Sequence, residues 1–208
     1  MVAPRLRAAG YEVAARDLQG GGSDPTPPHG VTFADYIVRI AGGPISPPAE
    51  ETAEQVAGLV YLTAMLPKDG ETLGTMVEFG EDSVLRGARP SEVAGTTAFE
   101  KSLAVEIFYN TTPPALPEAA IARLAKLAPS EPFMARISLS AARWGAIPKT
   151  YIQYMREQAI PLSVQRWLCA RAPGVAVLAL DTDHSPFLSA PGELAASVDA
   201  IAKALVGA

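Results

Sequence analysis

Cysteine is almost absent from this chain. Cys169 is the only one in 208 residues, so no internal disulfide can form, and a reducing compartment is the expectation. Histidine is nearly as scarce, with His29 and His184 alone, and no Cys/His cluster has metal-ligand spacing, so no metal is expected. Gly20-Gly21-Gly22 does not form a Gly-x-Gly-x-x-Gly opening a helix, which speaks against a nucleotide cofactor. No lysine or arginine run occurs and the net charge is −5; neither nucleic acid nor an anionic membrane is expected as a partner. The longest apolar stretches, Ala57 to Leu66 and Val175 to Leu180, fall far short of the ~20 residues that span a bilayer. Met1 to Arg7 lacks the apolar core of a secretory signal, so cytoplasmic residence is the default expectation.

What is present is the composition of a soluble single domain, 49% hydrophobic and 19% charged, punctuated by 19 prolines and 17 glycines. Elements should therefore be short and sharply bounded. Val2 to Ala9 has helical spacing with Gly10 as its stop, and Tyr11 to Leu18 runs as a strand. Thr32 can cap a helix over Phe33 to Ile40, ended by Ala41-Gly42-Gly43, and Pro47 to Gln55 suits a short helix. Val56 to Met65 is a near-continuous apolar run of the kind buried on both faces of a parallel sheet. Lys149 to Met155 and Gly174 to Asp181 repeat that theme, followed by helical patterns at Leu162 to Ala172 and Pro191 to Val206. Strands alternating with helices predict an α/β fold with a mostly parallel sheet.

Between Pro67 and Pro148 the pattern offers helical candidates at Glu92 to Phe108, Pro117 to Leu127 and Phe133 to Trp144, and no convincing strand. Such an insertion, leaving after one strand and returning before the next, would sit at the carboxyl edge of the sheet, where ligands bind in open parallel sheets. It reads as a helical cap over residues 67–148 within one domain of residues 1–208. Phe108, Tyr109, Phe133 and Trp144 are the candidate lining of a pocket beneath it.

The last predicted strand leads into Asp181-Thr182-Asp183-His184-Ser185-Pro186-Phe187. A histidine just beyond a buried strand's carboxyl end is well sited for proton transfer, which makes His184 the leading catalytic candidate. His29, in a Pro-Pro-His-Gly loop, reads as a solvated turn residue. Cys169 lies in an amphipathic stretch with Trp167 and Leu168 and reads as a packing residue. Ser23 and Ser46 stand at no strand-to-helix elbow and suit loop and cap roles.

Several of these motifs together resemble a known family. The run Tyr-Ile-Gln-Tyr-Met-Arg-Glu-Gln-Ala-Ile-Pro from Tyr151, the Gln165-Arg166-Trp167 triplet, and Leu-Asp-Thr-Asp-His-Ser-Pro-Phe-Leu-Ser-Ala-Pro from Leu180 resemble the α/β-hydrolase branch of plant methylesterases, hydroxynitrile lyases and bacterial esterases. Tyr11 to Pro27 and Val56 to Pro67 are also similar to it, so the resemblance covers nearly the whole chain. It implies a cofactor-independent hydrolase of small carboxylic esters. It also assigns His184 as the triad histidine and Glu157, eight residues before the glutamine of Gln-Arg-Trp, as the acid that orients it. The family usually has aspartate there; a glutamate can do the same work of fixing the imidazole tautomer.

The nucleophile is where the pattern breaks. The family carries a strand followed by Gly-x-Ser-x-Gly-Gly opening a helix, because that strained turn presents the serine beside a backbone oxyanion hole. Only Ala41-Gly42-Gly43 remains here, and Ile40 stands where the serine belongs. The family's first strand, with its His-Gly turn, is also missing before Met1, as after a truncation or a misplaced initiation codon. The expectation is an incomplete α/β-hydrolase fold of esterase ancestry with serine hydrolysis absent or vestigial. The alternatives are a non-catalytic small-molecule-binding relative and a truncated gene remnant. With central strands lost, either the strands at Tyr11 to Leu18 and Val56 to Met65 pair directly or an unpaired sheet edge remains, through which a homodimer could form.

Overall fold

The computed structural model describes residues 1–14, 24–32, 46–77, 83–124 and 126–207. The expected helix over 33–40, the residues Ile40, Ala41, Gly42 and Gly43, Ser23, and the second half of the expected strand over 11–18 lie outside the described residues.

A parallel sheet organises the chain. Its strands are β1 (Leu59–Leu62), β5 (Lys149–Tyr154) and β6 (Ala176–Leu180), hydrogen-bonded in the order β1-β5-β6. Tyr61 is in register with Tyr151, and their rings stack 6.4 Å apart; Ile152 is in register with Leu178. Helices cover both faces. On one face α7 (Leu162–Ala170) and α2 (Ser46–Glu51) enclose Ala49, Leu59, Tyr61, Leu66, Ile147, Tyr151, Ile160, Val164 and Leu168. On the other, α9 (Pro191–Val206) packs Leu194 and Ile201 onto Ile152 and Tyr154, with Val198, Leu205 and Val2 completing the cluster. The apolar positions 194, 198, 201 and 205 recur at helical spacing, which is why this helix presents one stripe to the sheet.

Near the amino terminus α1 (Val2–Ala8) stops at Gly10, whose φ of +95° favours glycine. It is tied down by Tyr11, whose hydroxyl donates to Asp199 of α9 at 2.8 Å. Residues 11–14 carry no strand assignment, so the first part of the expected strand is not formed there.

Burial within the sheet follows position more than sequence. Central β5 is the buried strand, although Lys149, Thr150 and Gln153 interrupt its apolar run. The wholly apolar β6 is exposed, with Val177 at 46% and Leu178 at 42%. The expectation that 174–181 would be buried on both faces is corrected: among the described residues β6 has a neighbour on one side only.

The segment 67–148 between β1 and β5 is not wholly helical. Its helices are α3 (Leu73–Val77), α4 (Ala104–Phe108), α5 (Pro117–Arg123) and α6 (Glu131–Met134). Between them β2 (Ala88–Pro90), β3 (Thr96–Phe99) and β4 (Leu127–Pro129) form an antiparallel sheet. Strands of three or four residues, two of them ending on proline, give no readable alternation, so the sequence pattern missed them. The expected helix over 92–108 is turn and strand up to Phe99 and helical only from Lys101, and the one over 133–144 is largely irregular.

Candidate active site

Two loops at the carboxyl ends of neighbouring strands build the site. The first leaves β5 after Tyr154 and carries Glu157. The side chain of Glu157 is fully buried, and it stays there because Oε1 accepts from the backbone amides of Ala159 at 2.6 Å and Ile160 at 3.2 Å. A buried carboxylate needs such partners. Its other oxygen, Oε2, accepts from Nδ1 of His184 at 2.9 Å. The two residues singled out from sequence are therefore brought together, 27 positions apart in the chain.

Gln165 holds the ends of that loop. Wholly buried at the start of α7, it accepts from the Tyr154 amide at 3.0 Å and donates to the carbonyls of Tyr154 at 3.1 Å and Ile160 at 2.9 Å. The amide side chain thus closes the gap between the last residue of β5 and Ile160, the second of the carboxylate's two anchors. Thr63, at the end of β1, adds a weaker contact, its hydroxyl accepting from the Tyr154 amide at 3.3 Å. Thr63 has φ +45°, a conformation a β-branched residue rarely adopts.

The second loop leaves β6 and is pinned by Asp183, also buried. Oδ1 accepts from the Ser185 amide at 3.0 Å and the Ser189 hydroxyl at 2.9 Å. Oδ2 accepts from the Thr111 amide at 2.9 Å and the Thr112 hydroxyl at 2.8 Å. Thr111 and Thr112 follow α4, so one carboxylate ties the histidine loop both to α8 (Pro186–Ser189) and to the cap. Burial alone would raise the Asp183 carboxyl. The hydrogen bonds outweigh it and hold the group below the usual carboxylate range.

With Nδ1 engaged by Glu157, His184 keeps Nε2 for an incoming proton, and its side chain is 34% exposed. Beside it lies a row of aromatic rings from the cap. Phe108 is 5.3 Å from the imidazole, Phe99 is 4.9 Å from Phe108, and Tyr109 is 6.2 Å from Phe108. Burial, with a contribution from the Asp183 charge, pushes the Tyr109 phenol up.

Among the described residues, no one cleft brings together the four aromatics expected to line a pocket. Phe108 adjoins His184, while Tyr109 also borders a separate cleft of about 450 Å³ with Val105, Thr112 and Pro117. Trp144 is on a different part of the molecule, donating from Nε1 to the Tyr61 hydroxyl at 3.0 Å and facing a cleft of about 340 Å³ with Leu66, Lys149 and Arg171. Phe133 is 47% exposed. Aromatic content marks core and cap alike, so composition could not separate them.

The other candidates take modest places. His29 is exposed on a short turn over Pro28–Gly30. Burial raises the Cys169 thiol, the reverse of what a nucleophile needs. Ser46 opens α2. Among the described residues no group of three His, Cys, Asp or Glu is placed to hold a metal ion, and no helix is long and apolar enough to cross a membrane. The roles of Asp183 and Gln165 were not assigned from sequence. The signals were there, an acid immediately before the histidine and a glutamine fixed in spacing to Glu157.

No family model matches the chain. It is 31% identical to the pyrethroid hydrolase of Sphingobium wenxiniae, a match covering 95% of this chain and 80% of that protein. It is 27% identical to methylesterase 7 of Arabidopsis thaliana, over 94% of this chain and 87% of that one. Among solved structures it superposes on a pyrethroid hydrolase from Sphingobium faniae with a TM-score of 0.83 and 28% identity, covering 100% of this chain and 92% of that one. In the Sphingobium wenxiniae match, 95% of 208 residues is about 198, so about 32 of the 230 aligned positions stand opposite no residue of this chain.

Proposed function

Because this chain belongs to the esterase branch of the α/β-hydrolase family, we propose that it is a small-carboxylic-ester hydrolase by descent whose acid–base pair is intact and whose serine step is impaired. The observation that carries this reading is the fully buried Glu157, anchored by two backbone amides and bonded to Nδ1 of a one-third-exposed His184. In such a pair the carboxylate fixes the proton on Nδ1, orients the ring and stabilises the imidazolium once Nε2 has taken a proton. Nε2 then needs a hydroxyl to deprotonate. Ile40 stands where the family's serine belongs, ahead of the retained Ala41-Gly42-Gly43, and a hydrocarbon side chain cannot attack a carbonyl. The roughly 32 unmatched positions in the pyrethroid hydrolase alignment support a shortened chain. Removing the serine from a triad costs about a millionfold in kcat in the best-studied case.

Hydrolysis of p-nitrophenyl acetate and butyrate tests the reading, with His184→Ala as the control. The expected result is no turnover above that control and no labelling by a fluorophosphonate probe. Turnover well above the control, with labelling, would show that another residue serves as nucleophile and would return the chain to the active esterases. The row Phe99, Phe108 and Tyr109 beside the imidazole favours one second reading, a non-catalytic binder of small ester-like ligands. A rise in melting temperature with a non-hydrolysable ester analogue, in the absence of turnover, would select it.

A further inference from the structure

We propose that the cleft bordered by Trp144, Lys149 and Arg171 is a binding site for an organic monocarboxylate, a ligand with a hydrocarbon body and one anionic end. The proposal is independent of whether the His184 site turns over an ester.

The cleft is separate from the Glu157–His184 pair. Lys149 is the first residue of β5, Trp144 and Gly145 lead into that strand, and Val175 immediately precedes β6. These are the amino ends of the strands, whereas Glu157 and His184 follow the carboxyl ends. From Lys149 to Tyr154 the strand alone spans roughly 17 Å at ~3.3 Å per residue. The cleft holds about 340 Å³, within the size range of small-molecule pockets.

Its charges set the class of ligand. Arg171 is already paired with Glu71 and lies over the Trp167 ring, 4.1 Å from its centre. On the rim Lys68 and Asp69 are exposed and opposite in sign, and one Asp69 oxygen accepts from the Leu139 amide at 2.9 Å. Glu50, behind the wall, accepts from the amides of Ser140 and Trp144, and the nearby Arg143 charge helps to hold its carboxyl below the usual range. That leaves Lys149, which is 9% exposed. Its ammonium lies 4.2 Å from the centre of the Trp144 ring and donates to the carbonyls of Trp144 at 2.5 Å, Ile147 at 2.7 Å and Gly145 at 3.3 Å. Among the described residues no carboxylate forms an ion pair with it. Carbonyl dipoles satisfy its protons but carry no net charge, and burial pulls its pKa below the ordinary lysine value. A buried cation held by dipoles alone keeps its attraction for an anion, and the low dielectric strengthens that attraction.

The walls supply the rest. Leu66, Leu139, Trp144, Pro173 and Val175 are apolar, and Trp144 is fixed in place by donating from Nε1 to the Tyr61 hydroxyl. A hydrocarbon body fits these walls with its carboxylate at the Lys149 ammonium, where the long bond to Gly145 is the one most readily given up. One uncompensated charge calls for a monoanion, and Asp69 on the rim repels anything more highly charged. A neutral ligand would leave the lysine as it is.

Tryptophan fluorescence reads this cleft alone, because Trp144 lines it, Trp167 stacks on Arg171, and the chain has just these two tryptophans. Titration with 4-phenylbutyrate is expected to give a saturable change below about 10 mM, and 4-phenylbutyramide, of nearly the same shape without the charge, should bind roughly tenfold more weakly. Lys149→Met should weaken the carboxylate by about tenfold and bring the two probes level. Ala141→Glu, at an exposed position on the cleft wall, should weaken it by a similar factor with an unchanged circular dichroism spectrum, which covers the case in which the lysine variant misfolds. The His184 ring resonances should stay where they are throughout. No saturable change, equal binding of the two probes to the wild type, binding that survives Ala141→Glu, or movement of the His184 resonances at the same carboxylate concentrations would each overturn the proposal.

Discussion

Replacing Asp183 tests how the histidine loop is held. Its carboxylate accepts from two backbone amides, Thr111 and Ser185, and from two hydroxyls, Thr112 and Ser189, at 2.8–3.0 Å in a buried setting. The hydroxyls can rotate to other partners; the amides cannot. A hydrogen bond to a charged acceptor contributes about 1.5–3 kcal/mol, and a stranded buried donor costs about 1–3 kcal/mol. Asp183→Ala should thus destabilise by roughly 3–5 kcal/mol, or about 6–20 °C in Tm for a chain of this size. Asp183→Asn keeps the shape but turns one acceptor into a donor facing donors, and should cost about 2–4 kcal/mol. The pH dependence gives a second check. Because the folded-state carboxyl is held low by these bonds, its contribution is fully present above the unfolded value of about 3.9 and is lost as pH falls through the lower folded value. Urea unfolding of wild type and Asp183→Asn between neutral and acid pH measures both. The asparagine variant should lack this part of the wild type's acid loss. Stability within about 0.5 kcal/mol of wild type at neutral pH, or an identical acid limb, would refute the reasoning.

Two further substitutions probe the same region. Gln165→Leu removes the partner of the Tyr154 and Ile160 carbonyls and leaves the Tyr154 amide only its 3.3 Å bond to the Thr63 hydroxyl; a loss of about 2–4 kcal/mol in urea unfolding is expected, and a loss under 1 kcal/mol would mean that water replaces the amide fully. At Gly87 an added Cβ would come within 2.3 Å of the Phe99 ring, which contacts the Phe108 ring and, through it, His184. Gly87→Ala should therefore cost about 1–3 kcal/mol and shift the His184 ring resonances in an NMR spectrum, whereas unchanged resonances would sever the proposed link between cap and imidazole.

The strands and helices that flank the parallel sheet were legible because each carries a long apolar period: 149–154, 162–170 and 191–206 agree with the expected spans to within two residues. Burial was less legible. Sequence marks β6 as the more apolar strand, yet sheet order leaves it exposed and buries β5 with Lys149 inside it. Lys149 is tolerated there because its ammonium donates to the carbonyls of Trp144, Gly145 and Ile147, partners that no local pattern announces. The cap strands were invisible for a related reason. Three residues such as Leu127–Pro129 acquire strand geometry from their partner, not from their own alternation.

The Glu157–His184 pair was legible residue by residue, and under the proposed function its anchoring accounts for how it could outlast a nucleophile. Among the described residues, the hydrogen bonds to the Glu157 and Asp183 carboxylates come from residues after Tyr109: Glu157 accepts from Ala159 and Ile160, and Asp183 from Thr111, Thr112 and Ser189, while Gln165 holds the Glu157 loop. None of those bonds involves the glycines that remain of the elbow. These groups are also buried and mutually satisfied, so replacing Asp183 or Gln165 would cost stability whether or not an ester is ever cleaved. An intact Glu157–His184 pair is thus what folding alone would preserve. Its geometry does not by itself measure catalysis, and the contrast between wild type and His184→Ala does, because that substitution removes a one-third-exposed ring and leaves the anchoring bonds of Asp183 and Gln165 in place.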